Sequence, residues 1–117
     1  MQESNHYFYL WRHRFVDDDD RIVCRTCLGI TGNPDNRTQG YEGHCGHTVK
    51  FAKLWTGPKR LIQELEIKIK RDFYDYLFVG TGGFRYEWIN EEVEFENIVK
   101  WVSWEVENTF VGIQEIQ

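Results

Sequence analysis

The sequence predicts an α+β domain, a small three-stranded antiparallel sheet flanked by helices, and three observations support it. Aromatic and β-branched runs near the start suit strands, two later stretches place apolar residues at helical spacing, and glycine-rich or Asn-Pro breaks separate them. The predicted order is strand, strand, helix, strand, helix, short hairpin, helix, which is not the strict alternation of a parallel α/β sheet.

His6 to Arg14 opens the chain with Tyr7, Tyr9 and Trp11 on one face and Phe8 and Leu10 on the other, the pattern of a strand buried on both sides. Asp17-Asp18-Asp19-Asp20 separates it from a second strand, Arg21 to Thr31, carrying Ile22, Val23, Leu28 and Ile30; the two form a hairpin with a solvated acidic loop. Asn33-Pro34 then starts a helix. Asn accepts from orphan amides, and Pro supplies a helical φ where its missing N–H costs nothing. This short helix carries Asp35, Asn36 and Arg37 and ends near Gly40, and the stretch GYEGHCGH, with three glycines in eight residues, is a loop.

Thr48 to Trp55 alternates as a third strand, and Thr56-Gly57-Pro58 repeats the helix-start chemistry. From Lys59 to Arg71 the apolar positions Leu61, Ile62, Leu65 and Ile69 keep helical spacing. Phe73 to Val79 reads as a short strand, Thr81-Gly82-Gly83 as a turn, and Phe84 to Ile89 as its continuation. Asn90 with Glu91 and Glu92 caps a last helix whose stripe, Phe95, Ile98, Val99, Val102 and Val106, runs to about residue 108.

A chain of 117 residues is one domain and buries about two-thirds of its unfolded surface, so with 16% aromatic residues and five Trp, large rings fill much of the core. The formal charge of −5 argues against a uniformly basic nucleic-acid binder, so any such contact must be local. With no run of about eighteen apolar residues and no basic, apolar leader, the expectation is a soluble, cytoplasmic protein. Three cysteines without an export signal point to free thiols or metal rather than to disulfides.

Cys24, Cys27, Cys45 and His47 supply a tetrahedral zinc set, with His44 beside them. Against it, residues three apart on a regular strand point to opposite faces, and the simpler reading of Cys24 and Cys27 is buried thiols. No Gly-Lys-Ser/Thr follows Gly32, which sets a nucleotide phosphate loop aside. The acidic tetrad reads as solvated charge that discourages edge pairing.

One arrangement spans most of the chain. Tyr7-Phe8-Tyr9 on the first strand, Gly29-Ile30-Thr31 ending the second, Asn33-Pro34-x-x-Arg37 opening a helix, Glu64-Leu65-Glu66-Ile67-Lys68 and Glu87-Trp88-Ile89 stand in sequence. In order and spacing they resemble the GIY-YIG nuclease superfamily, in particular the phage and bacterial branch with an NPxxR motif, an ExxLH-like helix and a later EWF. The resemblance covers roughly residues 6 to 90. It departs in three places, with Cys27 where the second motif's tyrosine is expected, Tyr7 where the first motif has glycine, and a longer loop between the two motifs because of Asp17-Asp18-Asp19-Asp20.

The resemblance implies a divalent-metal-dependent DNA endonuclease in which Tyr9 is the first-motif tyrosine, Arg37 the active-site arginine and Glu64 the glutamate that ligates Mg²⁺ or Mn²⁺. Each role is chemically sound. A hard cation is often held by one carboxylate plus phosphate and water, and a guanidinium fork fits two phosphate oxygens while staying charged. A tyrosine needs about 2.7 kcal/mol of help to lower its pKa by two units, which Lys50, His44, Arg12 or the metal would supply. Tyr41 and His44 would line the groove, and Glu87 is the second choice of carboxylate. Lys50, Lys53, Lys59, Arg60, Lys68, Lys70 and Arg71 concentrate positive charge in the middle third, against an acidic Glu91 to Glu107, so a local basic face would receive DNA. A homodimer or a partner protein would lend specificity and cut the second strand. Two readings compete with the enzyme: a non-catalytic zinc-stabilised module, and a GIY-YIG-derived fold that only binds nucleic acid or protein.

Overall fold

The computed structural model describes residues 5–16, 18–34, 53–79, 85–90 and 92–116. β1 (Asn5–Val16) and β2 (Ile22–Thr31) form a long antiparallel hairpin paired without interruption from Val16↔Ile22 to Tyr7↔Thr31. In its turn Asp20 takes a positive φ of 61°, a left-handed conformation that Asp tolerates better than most residues. β3 (Lys53–Pro58) pairs with the first half of β1, from Leu10↔Lys53 to Asn5↔Pro58.

β4 (Leu77–Val79) and β5 (Arg85–Ile89) pair with each other, β5 joins β2 at Thr26 and Cys27, and β6 (Gln114–Glu115) covers the outer edge of β3. The α+β class therefore holds, but among the described residues the sheet has six strands in the order β4-β5-β2-β1-β3-β6, not three. The additional strands are two to five residues long, and alternation over so few positions does not say which sheet edge they join.

α1 (Lys59–Asp72) and α2 (Phe95–Asn108) pack on one face of this sheet. The even positions of β1, Phe8 and Leu10, meet Leu28, Trp55, Ile62, Leu65 and Ile69 of α1, and Ile98 and Val102 of α2. The predicted apolar stripes are thus the buried faces of both helices, and each aliphatic side chain fully removed from water contributes about 1.5–3 kcal/mol. The odd positions form a second, smaller cluster on the opposite face, where Tyr9, Trp11, Cys27 and Leu54 are buried and Tyr7 and Trp88 pack against them. Strand alternation alone separates the two clusters.

The helix boundaries differ from the sequence reading at two places. β3 runs through Thr56-Gly57-Pro58, with Pro58 extended at ψ 138°, and α1 begins directly after it with no side-chain cap. Asn90 does not cap α2. Its Oδ1 accepts the Glu92 N–H at 2.9 Å in a local turn, and the helix starts five residues later at Phe95. Among the described residues two ion pairs brace α2. Arg12 of β1 reaches Glu96 at 2.7 Å while lying 4.6 Å over the Phe95 ring, and Lys68 of α1 donates to the buried Glu105 at 2.8 Å. The predicted helix over 35–40, the loop over 40–47 and the first residues of the Thr48 to Trp55 strand lie outside the described residues. No helix among the described residues is long and apolar enough to cross a membrane.

Candidate functional site

The two strand motifs meet in the hairpin. Tyr9 and Gly29 are register partners on β1 and β2, and the Tyr9 ring lies directly on the glycine. A Cβ at Gly29 would stand 2.6 Å from Tyr9 Cζ and 3.2 Å from Cε1, closer than any side chain tolerates, so glycine is required here for space rather than for backbone conformation. Trp11 stacks beside the ring at 5.0 Å between centroids, tilted by 40°. Tyr9 has 0% of its surface exposed. Where the second motif's tyrosine was expected, Cys27 is likewise fully buried, opposite Trp11.

At the end of β2 the chain turns as the Asn33-Pro34 signal implies. The Asn33 N–H donates to Thr31 Oγ1 at 3.1 Å, closing a hydroxyl-mediated turn, and Pro34 is helical. Arg37, Tyr41, His44, Lys50, Cys45 and His47 lie outside the described residues. Glu87 occupies a backbone position on β5 two residues before Ile89, the partner of Thr26.

Glu64 sits on the solvent side of α1. Because α1 packs against the even face of β1, the sheet stands between Glu64 and Tyr9, and the fold does not bring these two together. The glutamate motif fits α1 in a second register that the sequence reading missed. E-x-x-I-K is satisfied by Glu64 to Lys68 and again by Glu66 to Lys70. In the first register the apolar position is Ile67, which is 66% exposed; in the second it is Ile69, which is fully buried. Glu66 itself flanks the buried stripe, its side chain only 17% exposed and 3.5 Å from Lys70. The signal that could have found it was present, since Ile69 belongs to the stripe and Ile67 does not.

The predicted basic face is largely neutralised by carboxylates. Lys68 is held by Glu105, Lys70 by Glu66, Arg71 lies 3.5 Å from Asp72, and Lys53 is 2.6 Å from Glu115. Lys59 and Arg60, at the start of α1, are exposed. Burial works to raise the carboxyl pKa of Glu105, but the hydrogen bonds from Lys68 and Thr109 and the charges of Lys68 and Arg71 outweigh it and hold the group below its ordinary value.

Cys24 and Cys27 hold register positions of opposite parity on β2, paired with Arg14 and Trp11. Among the described residues no three His, Cys, Asp or Glu groups gather as a metal site. A Mg²⁺ ion bound through one carboxylate, substrate phosphate and water needs no such cluster, and a partly exposed helix glutamate suits that donor set. No protein-family model, curated protein or solved structure matches this chain.

Proposed function

We propose that the chain is a divalent-metal-dependent DNA endonuclease of GIY-YIG type, hydrolysing phosphodiester bonds with a single Mg²⁺ or Mn²⁺. The observation that carries the reading is the Tyr9–Gly29 pair. The resemblance demands that its first two motifs lie side by side on adjacent antiparallel strands, and the tyrosine of one rests on the glycine of the other. The turn at Thr31 to Pro34 that leads toward Arg37 supports the same reading.

In this scheme the roles divide by exposure. Tyr9, shielded from solvent, is the ring that spaces the two motif strands rather than a group in contact with phosphate. Arg37 binds the scissile phosphate as charge shifts onto its oxygens. The metal carboxylate is Glu66, with Glu64, two residues earlier on the exposed face of α1, the alternative. The bound cation supplies charge stabilisation to the leaving oxygen. DNA specificity comes from a second copy or a partner protein, because the net charge of −5 leaves little general affinity for duplex.

The test is a plasmid-nicking assay with Mg²⁺ or Mn²⁺ on the parent, Arg37→Ala, Glu66→Gln and Glu64→Gln. Arg37→Ala and Glu66→Gln are expected to lose at least about a hundredfold in rate, the cost of removing one preorganised charge-stabilising group, with Glu64→Gln near the parent. A reversed order of the two glutamates returns the carboxylate to Glu64. Equal residual cleavage by parent and all variants overturns the nuclease.

A further inference from the structure

Glu66 and Lys70 lie one turn apart on α1, and the Lys70 ammonium stands 3.5 Å from Glu66 Oε2. Pairs of this spacing are common on solvated helix faces, but this one is partly withdrawn from water. The two side chains are 17% and 33% exposed, whereas Glu64 is exposed. At 3.5 Å the nitrogen lies outside the range of about 2.7–3.2 Å of a formed N–H···O bond, so it faces the carboxylate as a point charge. Of the positions three or four residues from Glu66, Ile62, Gln63 and Ile69 are uncharged and Lys70 carries the one charge. At helical spacing Lys59, Gln63, Glu66 and Lys70 share one flank of α1, and Lys59 and Gln63 on it are exposed. Lys68 falls on the opposite flank, where Glu105 of α2 holds it at 2.8 Å.

We infer that Lys70 holds the cation's place at Glu66 until the divalent ion binds and, once displaced, becomes a contact for the substrate phosphate. This role depends on Glu66 being the metal carboxylate, and it gives a task to a residue that none of the sequence motifs assigns. The Lys70 ammonium balances the Glu66 charge from the side that a divalent cation would approach, and the two cations repel at a single carboxylate. Lys70 therefore lowers the affinity of the chain for the ion. The penalty is modest, because a partly exposed ion pair is weak. The four-carbon stem lets the ammonium swing away without moving the helix backbone. It stays one turn from Glu66, beside the phosphate that shares the cation's coordination, with Lys59 about two turns back on the same flank. The sequence of contacts links metal and substrate, since Lys70 opposes the first to bind and then favours the second.

The experiment measures Mn²⁺ binding to the full chain without DNA, from the electron paramagnetic resonance signal of the free ion, for the parent, Lys70→Met and Glu66→Gln. Lys70→Met keeps the stem and removes the charge. It is expected to bind Mn²⁺ about three- to fivefold more tightly than the parent, the competition a partly exposed ion pair can exert, and Glu66→Gln is expected to lose the site. A second arm titrates a short DNA duplex at saturating Ca²⁺, where Glu66 is occupied in parent and Lys70→Met alike. There Lys70→Met should bind about threefold more weakly, with a salt dependence shallower by about one phosphate contact. Circular dichroism confirms that both variants keep the fold. Mn²⁺ affinity unchanged by Lys70→Met but lost in Glu66→Gln overturns the role of Lys70 and leaves the metal carboxylate standing, and equal duplex affinity at saturating Ca²⁺ overturns the phosphate contact. Mn²⁺ binding that survives Glu66→Gln, or is missing from parent and Lys70→Met alike, overturns both Glu66 as the metal ligand and Lys70 as its stand-in.

Discussion

Placing a methyl group at Gly29 tests the contact on which the functional reading rests. Gly29→Ala would put Cβ 2.6 Å from Tyr9 Cζ, where ordinary carbon contacts begin near 3.5 Å, so the ring must retreat by roughly 1 Å. It has no room to do so. The ring is fully buried, stacked beside Trp11 and packed with Leu54 and Cys27. The cost should lie at the upper end of the usual overpacking range, about 3 kcal/mol. Without the clash the sign reverses, because Ala in a strand interior is favoured over Gly by about 0.5–1 kcal/mol. In a Tyr9→Leu background, itself weakened by its cavity, Gly29→Ala should therefore be neutral or slightly stabilising, giving a coupling of about 3 kcal/mol between the two sites. Urea denaturation of the parent, both single variants and the double variant measures it. A coupling below about 0.5 kcal/mol would mean that the ring does not rest on the glycine, and the two strand motifs would then not be joined through this contact.

The Lys68–Glu105 pair should behave as a buried bridge between the helices: Lys68→Met is expected to cost about 2 kcal/mol, discounted for the partial exposure of Lys68, and Lys68→Met with Glu105→Leu to recover most of it, read by denaturant midpoints. Both resolved titration shifts lie below their ordinary values, so the unfolded chain binds more protons and stability rises with pH. The His6 contribution is complete above pH 6.5 and is lost as pH falls through its folded value; that of Glu105 is complete above 4.5 and is lost as pH falls further. Melting curves across pH 3 to 8 should show both steps, with His6→Gln flattening the upper and Glu105→Gln the lower. At the hairpin turn, Asp20→Gly should be neutral or mildly stabilising and Asp20→Val should cost about 1–2 kcal/mol, because only the latter is strained at a φ of 61°; equal melting temperatures would refute this backbone argument.

Local chemistry made much of this chain legible. The 2-residue alternation of β1 divided Tyr7, Tyr9 and Trp11 from Phe8 and Leu10, and those sets line opposite faces because successive strand residues cannot do otherwise. The stripes of α1 and α2 were readable for the same reason, since burying a helix requires apolar residues at its period. Asn90 was misread because Asn serves a turn as readily as a helix cap, and the choice depends on where the following backbone packs.

What tertiary structure alone decided concerns facing and partnership. The sequence shows two overlapping glutamate registers on α1, and only the folded structure shows that the Glu66 side chain is largely buried beside Lys70 while Glu64 is exposed. It shows a cluster of basic residues, and only the folded arrangement reveals that Glu105, Glu66, Asp72 and Glu115 answer most of them. It shows a Tyr and a Gly twenty residues apart; the hairpin register sets one upon the other. Periodicity follows from the covalent geometry of each segment, whereas register, sheet order and charge pairing arise between segments distant in the chain, where no local pattern records them.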